Sequence, residues 1–145
     1  DLSFFAAVAL NNLGVLLLLW LVSATWLFYA RRAEIPGKRA CRWALFCYLF
    51  FFAKEMIRVA RVLAAFSSRV NLPWQRLFFT LILPHGAVEY TAFALGAVFA
   101  LAWLGRSLER KRRYYPGHLA IFAPAGMVLL AAAIETAVTP SLFKI

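Results

Sequence analysis

Acidic residues are scarce in this chain. Of its 145 residues only 6 are Asp or Glu, against 16 Lys or Arg, and charged residues together make up 15%. A soluble domain is about a quarter charged and roughly half apolar. Here 64% of the residues are hydrophobic and 17% aromatic. So small a globule cannot hide that much apolar surface, which excludes a soluble module and makes lipid the solvent for most of the chain. Other things are missing too. There is no G-x-S-x-G, no H-E-x-x-H, no P-loop and no G-x-G-x-x-G, so the familiar hydrolase, metalloprotease and nucleotide-binding signatures have no support. The alternating strands of a membrane barrel are absent, as are internal repeats and low-complexity tails. The first apolar run is too long for a signal peptide and has no basic leader. The cysteines are Cys41 and Cys47. Six apart on one helix, they cannot bridge, and they read as packing residues.

What is present is four apolar segments, Ser3–Ala30, Cys41–Phe66, Arg76–Leu104 and Leu119–Pro140. Each is long enough for the ~30 Å hydrocarbon core, which takes about 20 helical residues. Helices are the expected form because lipid offers backbone groups no partner. The expectation is therefore an all-α polytopic membrane protein, a single transmembrane domain over residues 1–145 with about four spans. Pro36-Gly37, Pro73 and Pro116-Gly117 punctuate the short linkers, as turns require.

The basic residues are unevenly placed. Arg31, Arg32, Lys38, Arg39 and Arg42 surround the first linker, and Arg106, Arg110, Lys111, Arg112 and Arg113 the third. Positive linkers stay cytoplasmic, which puts both termini and the middle linker outside. Trp26, Tyr29, Trp43, Trp103, Tyr114 and Tyr115 fall at the inner boundary, as an aromatic belt does. This distribution argues for topology and contact with membrane lipid, anionic lipid included, and against nucleic acid.

The remaining ionisable groups fall at one depth. Lys54, Glu55, Arg58 and Arg61 occupy the outer half of the second segment. Asn11 and Asn12 lie in the outer half of the first, His85 and Glu89 of the third, and Glu135, Thr136 and Thr139 of the fourth. A lone charge at the bilayer centre costs at least ~2.5–3.5 kcal/mol, so these residues are expected to meet as one buried polar cluster. Three cations face three carboxylates, which predicts Glu89 and Glu135 each paired with one of Lys54, Arg58 and Arg61. Two other readings stay open, a proton or ion path through the cluster, and a metal set of His85, Glu89 and Glu135. Asn11 and Asn12 read as interhelical hydrogen-bond glue.

"LPHGAVEYT" at 83–91 carries a helix breaker inside an apolar run. Pro84 and Gly86 predict either a kink there, or a short separate piece from "RLFFTLIL" with a new helix starting at the proline. Gly96, Ala94, Ala97 and Ala100 form a small-residue set on this segment, and Ala131–Ala133 on the next, suited to close helix contact.

Taken together, "NNLGV", "LILPHGAVEYTAFALGAVFAL" and "LLAAAIETAVTP" resemble the stage II sporulation protein M family. The resemblance rests on the asparagine pair, the PHG-x-x-E element and the alanine-rich helix closing on Glu and Thr-Pro. It marks Asn11, Asn12, Pro84, His85, Gly86, Glu89, Glu135 and Pro140 as signature positions. The chain departs from the family pattern in being short and in lacking glycine through "CYLFFFAKEMIRVARVLAAF". The resemblance implies a multi-helix integral membrane protein, some of whose relatives join a cell-wall remodelling complex. The reading is thus a non-catalytic membrane protein without cofactors, assembling as a homo-oligomer or with other membrane-complex subunits. A small permease or channel is the alternative, and an intramembrane metal-dependent hydrolase the third.

Overall fold

The structure, a computed structural model, describes residues 2–79, 83–109 and 115–142; the side chains at 4, 70, 84, 85 and 138–142 lie outside that description. Five helices follow one another: α1 Leu2–Arg32, α2 Gly37–Val70, a short α3 Trp74–Leu77, α4 Leu83–Glu109 and α5 His118–Leu142. The chain is an all-α membrane protein. By length and composition three stretches can cross a membrane, Phe5–Arg32, Gly86–Glu109 and His118–Ala137. α2 has 34 residues and is long enough, but Lys54, Glu55, Arg58 and Arg61 break its apolar run.

The helix boundaries follow local chemistry. Glu34 adopts a left-handed φ of 52° after α1, and the Ile35 amide reaches back to the Ala30 carbonyl. Pro36 then precedes the first residue of α2. α2 stops at Asn71, which is left-handed as asparagine tolerates, with Pro73 beyond it. α4 is described from Leu83, so Pro84 lies in its first described turn. α3 at Trp74–Leu77 precedes it, and Phe78 keeps a right-handed helical conformation. The stretch 80–82, on which the choice between a kink and a separate piece turns, lies outside the described residues.

Side-chain contacts fix the register. α2 runs antiparallel to α1, with Tyr48 against Ser23 and Trp43 stacked on Trp26 at 6.3 Å. α4 runs parallel to α1, with Trp103 beside Trp20 at 5.6 Å and Gly96 against Leu16. α5 runs antiparallel to α4 and brings Pro124 to Gly96. A Cβ at Gly96 would lie 2.8 Å from Leu16 Cδ2, so glycine sets the approach of α1 and α4. The packed face of α4 is Ala92, Phe93, Gly96, Ala97 and Ala100. Ala94, expected on it, is exposed, and so is Ala133 on α5. Both fall off the buried stripe that helical periodicity draws through their neighbours.

Candidate functional site

The register gives the bundle two chemically different ends. At one end α1 stops, α2 starts, α4 stops and α5 starts. Arg31 Nη2 donates to the Ser107 carbonyl at 3.1 Å, which ties the end of α1 to α4. Gly37 packs on Leu108. Arg32, Lys38, Arg39, Arg42 and Arg106 lie on these same helix ends. Arg110, Lys111, Arg112, Arg113 and Tyr114 lie outside the described residues. Cys41 and Cys47 are free thiols, half-buried, and the Cys41 thiol approaches the Leu101 carbonyl at 3.9 Å. Packing explains them.

The other end opens into a cavity of about 420 Å³. Asn11 and Asn12 of α1, Glu55 and Arg58 of α2, Gly86 and Glu89 of α4, and Glu135 of α5 all line it. Four helices thus deliver the polar groups that the sequence placed at one depth. Phe51, Phe52, Tyr90 and Phe93 complete the wall, with the Phe93 ring 6.4 Å from Phe52 and 6.3 Å from Tyr90. These aromatics were not picked out as site residues. Their signal was spacing, since Phe51, Phe52, Glu55, Arg58 and Val59 share one face of α2.

Asn12 is 3% exposed and accepts from Asn11 Nδ2 at 3.1 Å. Its side chain and the Glu89 carboxyl line the same cavity, so the asparagine pair of α1 stands on the side where α4 carries its acid. Glu89 has the Glu135 carboxylate and the Arg58 guanidinium as charged neighbours.

The pairing differs from expectation. The ion pair here joins Arg58 Nε to Glu55 Oε2 at 2.7 Å, within one helix turn. Among the described residues neither Glu89 nor Glu135 makes a salt bridge to Lys54, Arg58 or Arg61. Lys54 and Arg61 do not reach the cavity at all. Both are exposed on another flank of α2, because a helix that turns Glu55 and Val59 inward turns positions 54 and 61 away. Thr136 bonds to its own helix, donating to the Ala132 carbonyl at 2.7 Å. The His85 side chain, and those of Pro84, Thr139 and Pro140, lie outside the described residues.

The geometry now allows the motifs to be placed. A sequence profile of the family described as stage II sporulation protein M matches residues 1–140. The chain belongs to that family. No curated protein and no solved structure matches it significantly. Of the positions that the resemblance marked in this stage II sporulation protein M family member, Asn11, Asn12, Gly86, Glu89 and Glu135 line this cavity, and Pro84 lies on the helix that carries two of them. Chemically the site offers carboxylates, amides and one guanidinium within aromatic walls. Among the described residues no three His, Cys, Asp or Glu side chains are grouped to hold a metal ion.

Proposed function

We propose that this family member is a non-catalytic membrane component that assembles with itself or with partner subunits. One observation carries the reading. Lys54 and Arg61 are exposed on α2, which lies alongside α1 and α4. A cation facing lipid at such depth is expensive, and a covering protein surface removes that expense. In this reading α2 is a fourth crossing, both termini are outside, and the basic ends of the helices meet the cytoplasm and its anionic lipid. Native mass spectrometry from native-membrane nanodiscs tests the reading. The expected result is a species heavier than the single chain, whereas monomers alone across several detergents and nanodiscs overturn it.

A second reading, a small permease or channel, is favoured by the cavity itself, which holds Asn11, Asn12, Glu89 and Glu135 at its walls. Ion or amine flux into liposomes carrying the purified protein would install that reading in place of assembly. The third reading, a metal-dependent hydrolase, requires stoichiometric metal in purified protein.

A further inference from the structure

The exposed flank of α2 is patterned. Phe50 and Ile57 are 69% and 55% exposed, and Lys54 and Arg61 are exposed beside them. The positions 50, 54, 57 and 61 follow a 4-3-4 spacing, which is the seam that one helix offers another. Arg58, at the edge of this stripe, is held by Glu55 at 2.7 Å. Lys54 and Arg61 have no hydrogen bond or ion pair among the described residues. They stand two turns apart, roughly 10 Å at ~1.5 Å per residue. Their depth follows from the register. The Phe52 ring is 6.4 Å from Phe93, and Phe93 lies well inside the apolar stretch Gly86–Glu109. Lys54, only two residues beyond Phe52, is therefore within the apolar depth, and Arg61 is nearer its rim.

A second copy of this chain does not supply what the stripe lacks. Among the described residues the exposed acids are Glu34 and Glu109, both at the opposite end of the bundle. Glu55, Glu89 and Glu135 line the cavity and do not face outward. At the depth of Lys54 a copy inserted in the same orientation presents exposed Thr91, Ala94 and Val98 of α4 or Leu130, Ala133 and Ala137 of α5, none of them acidic. Pairing α2 with α2 across a twofold axis sets cation against cation. Charge complementarity selects a different occupant.

We propose that the Phe50–Lys54–Ile57–Arg61 stripe docks a transmembrane helix of another protein, one carrying two carboxylate side chains about two turns apart in its outer half. Its apolar residues pack on Phe50 and Ile57, and its carboxylates meet Lys54 and Arg61. The inference rests on the assembly reading and specifies one surface and one partner chemistry for it.

The test uses two synthetic single-pass helices of about 20 leucine and alanine residues. One carries Glu at two outer-half positions seven apart, and the other carries Gln at both. Each is donor-labelled and reconstituted with acceptor-labelled full-length protein in phosphatidylcholine vesicles. Energy transfer should show the Glu helix binding about tenfold more tightly than its Gln twin. The pair Lys54→Met and Arg61→Met should erase the difference. The pair Lys54→Glu and Arg61→Glu should transfer the preference to a helix with Lys at the same positions, which shows that the variant still folds and docks. Equal binding of the Glu and Gln helices overturns the proposal. So does loss of the preference when phosphatidylglycerol is added, which assigns the stripe to lipid headgroups. A preference of the stripe for a second copy, seen as transfer between two labelled populations that the Glu helix does not displace, overturns it as well. A heavier native species without any acid preference leaves the assembly reading standing and removes this inference alone. Flux through the cavity removes the assembly reading without moving the energy-transfer result.

Discussion

The Ser23 hydroxyl lies 2.6 Å from the Tyr48 hydroxyl, and Tyr48 donates its one proton to the Leu19 carbonyl at 2.7 Å. Ser23 must therefore be the donor of the first bond. The three groups are buried and tie α1 to α2 in the half of the bundle nearer the basic end. Beyond Tyr48, α2 is buried among the described residues only at Leu63, and its charged residues begin.

Removing that tie should loosen α2. Tyr48→Phe is expected to destabilise the protein by about 0.6–2 kcal/mol, the range of interhelical hydrogen bonds in membranes. Ser23→Ala should cost less, because Tyr48 keeps its bond to Leu19. A double-mutant cycle by denaturation in mixed micelles should show coupling between the two, and strict additivity would mean that the hydroxyls act separately.

Gly96 gives a packing prediction. Its Cβ would meet Leu16 Cδ2 at 2.8 Å, so Gly96→Ala should destabilise by roughly 1–3 kcal/mol through overpacking. Leu16→Ala in the same chain should recover part of that loss. Gly126 has nothing within 4 Å of its Cβ position, and Gly126→Ala should be neutral or stabilising by up to ~1 kcal/mol from helix propensity. Thermal stability in one detergent compares all three.

The acids of the cavity give a prediction opposite to that of a buried salt bridge. Glu89 lies beside Asn12 and Glu135 and makes no ion pair among the described residues. Glu89→Gln keeps a hydrogen-bonding side chain for Asn12 and strands no cation, so stability should change by less than about 1 kcal/mol. Loss of a true buried pair would cost on the order of 3–5 kcal/mol. A loss of that size, recovered by Arg58→Met, would restore the paired arrangement.

Topology is open to labelling. In a chain with Cys41 and Cys47 replaced by alanine, a cysteine introduced at Lys38 or Lys111 should resist membrane-impermeant maleimide on intact cells. One at Leu72, in the linker before α3, should react. Labelling of either basic linker from outside overturns the orientation.

Much of this architecture was legible in the sequence. Segment lengths and missing charge fixed an all-α membrane protein. The depth of Asn11, Asn12, Glu55, Glu89 and Glu135 followed from counting residues along each segment, and those residues do meet. The polar residues of "LPHGAVEYT" have a destination, since the first described turns of α4 carry Gly86 and Glu89 to a polar cavity. Depth is set by residue number, since each helix advances by a constant rise. The direction a side chain faces is not set in that way. In water the apolar stripe of a helix identifies its buried face. In lipid the outer face is apolar as well, so the pattern around α2 does not distinguish protein from solvent. Only the packing of Tyr48 on α1 and of Phe52 on α4 turned Glu55 inward and left Lys54 and Arg61 outside. Charge balance alone had placed all of them together, and tertiary contacts separated them.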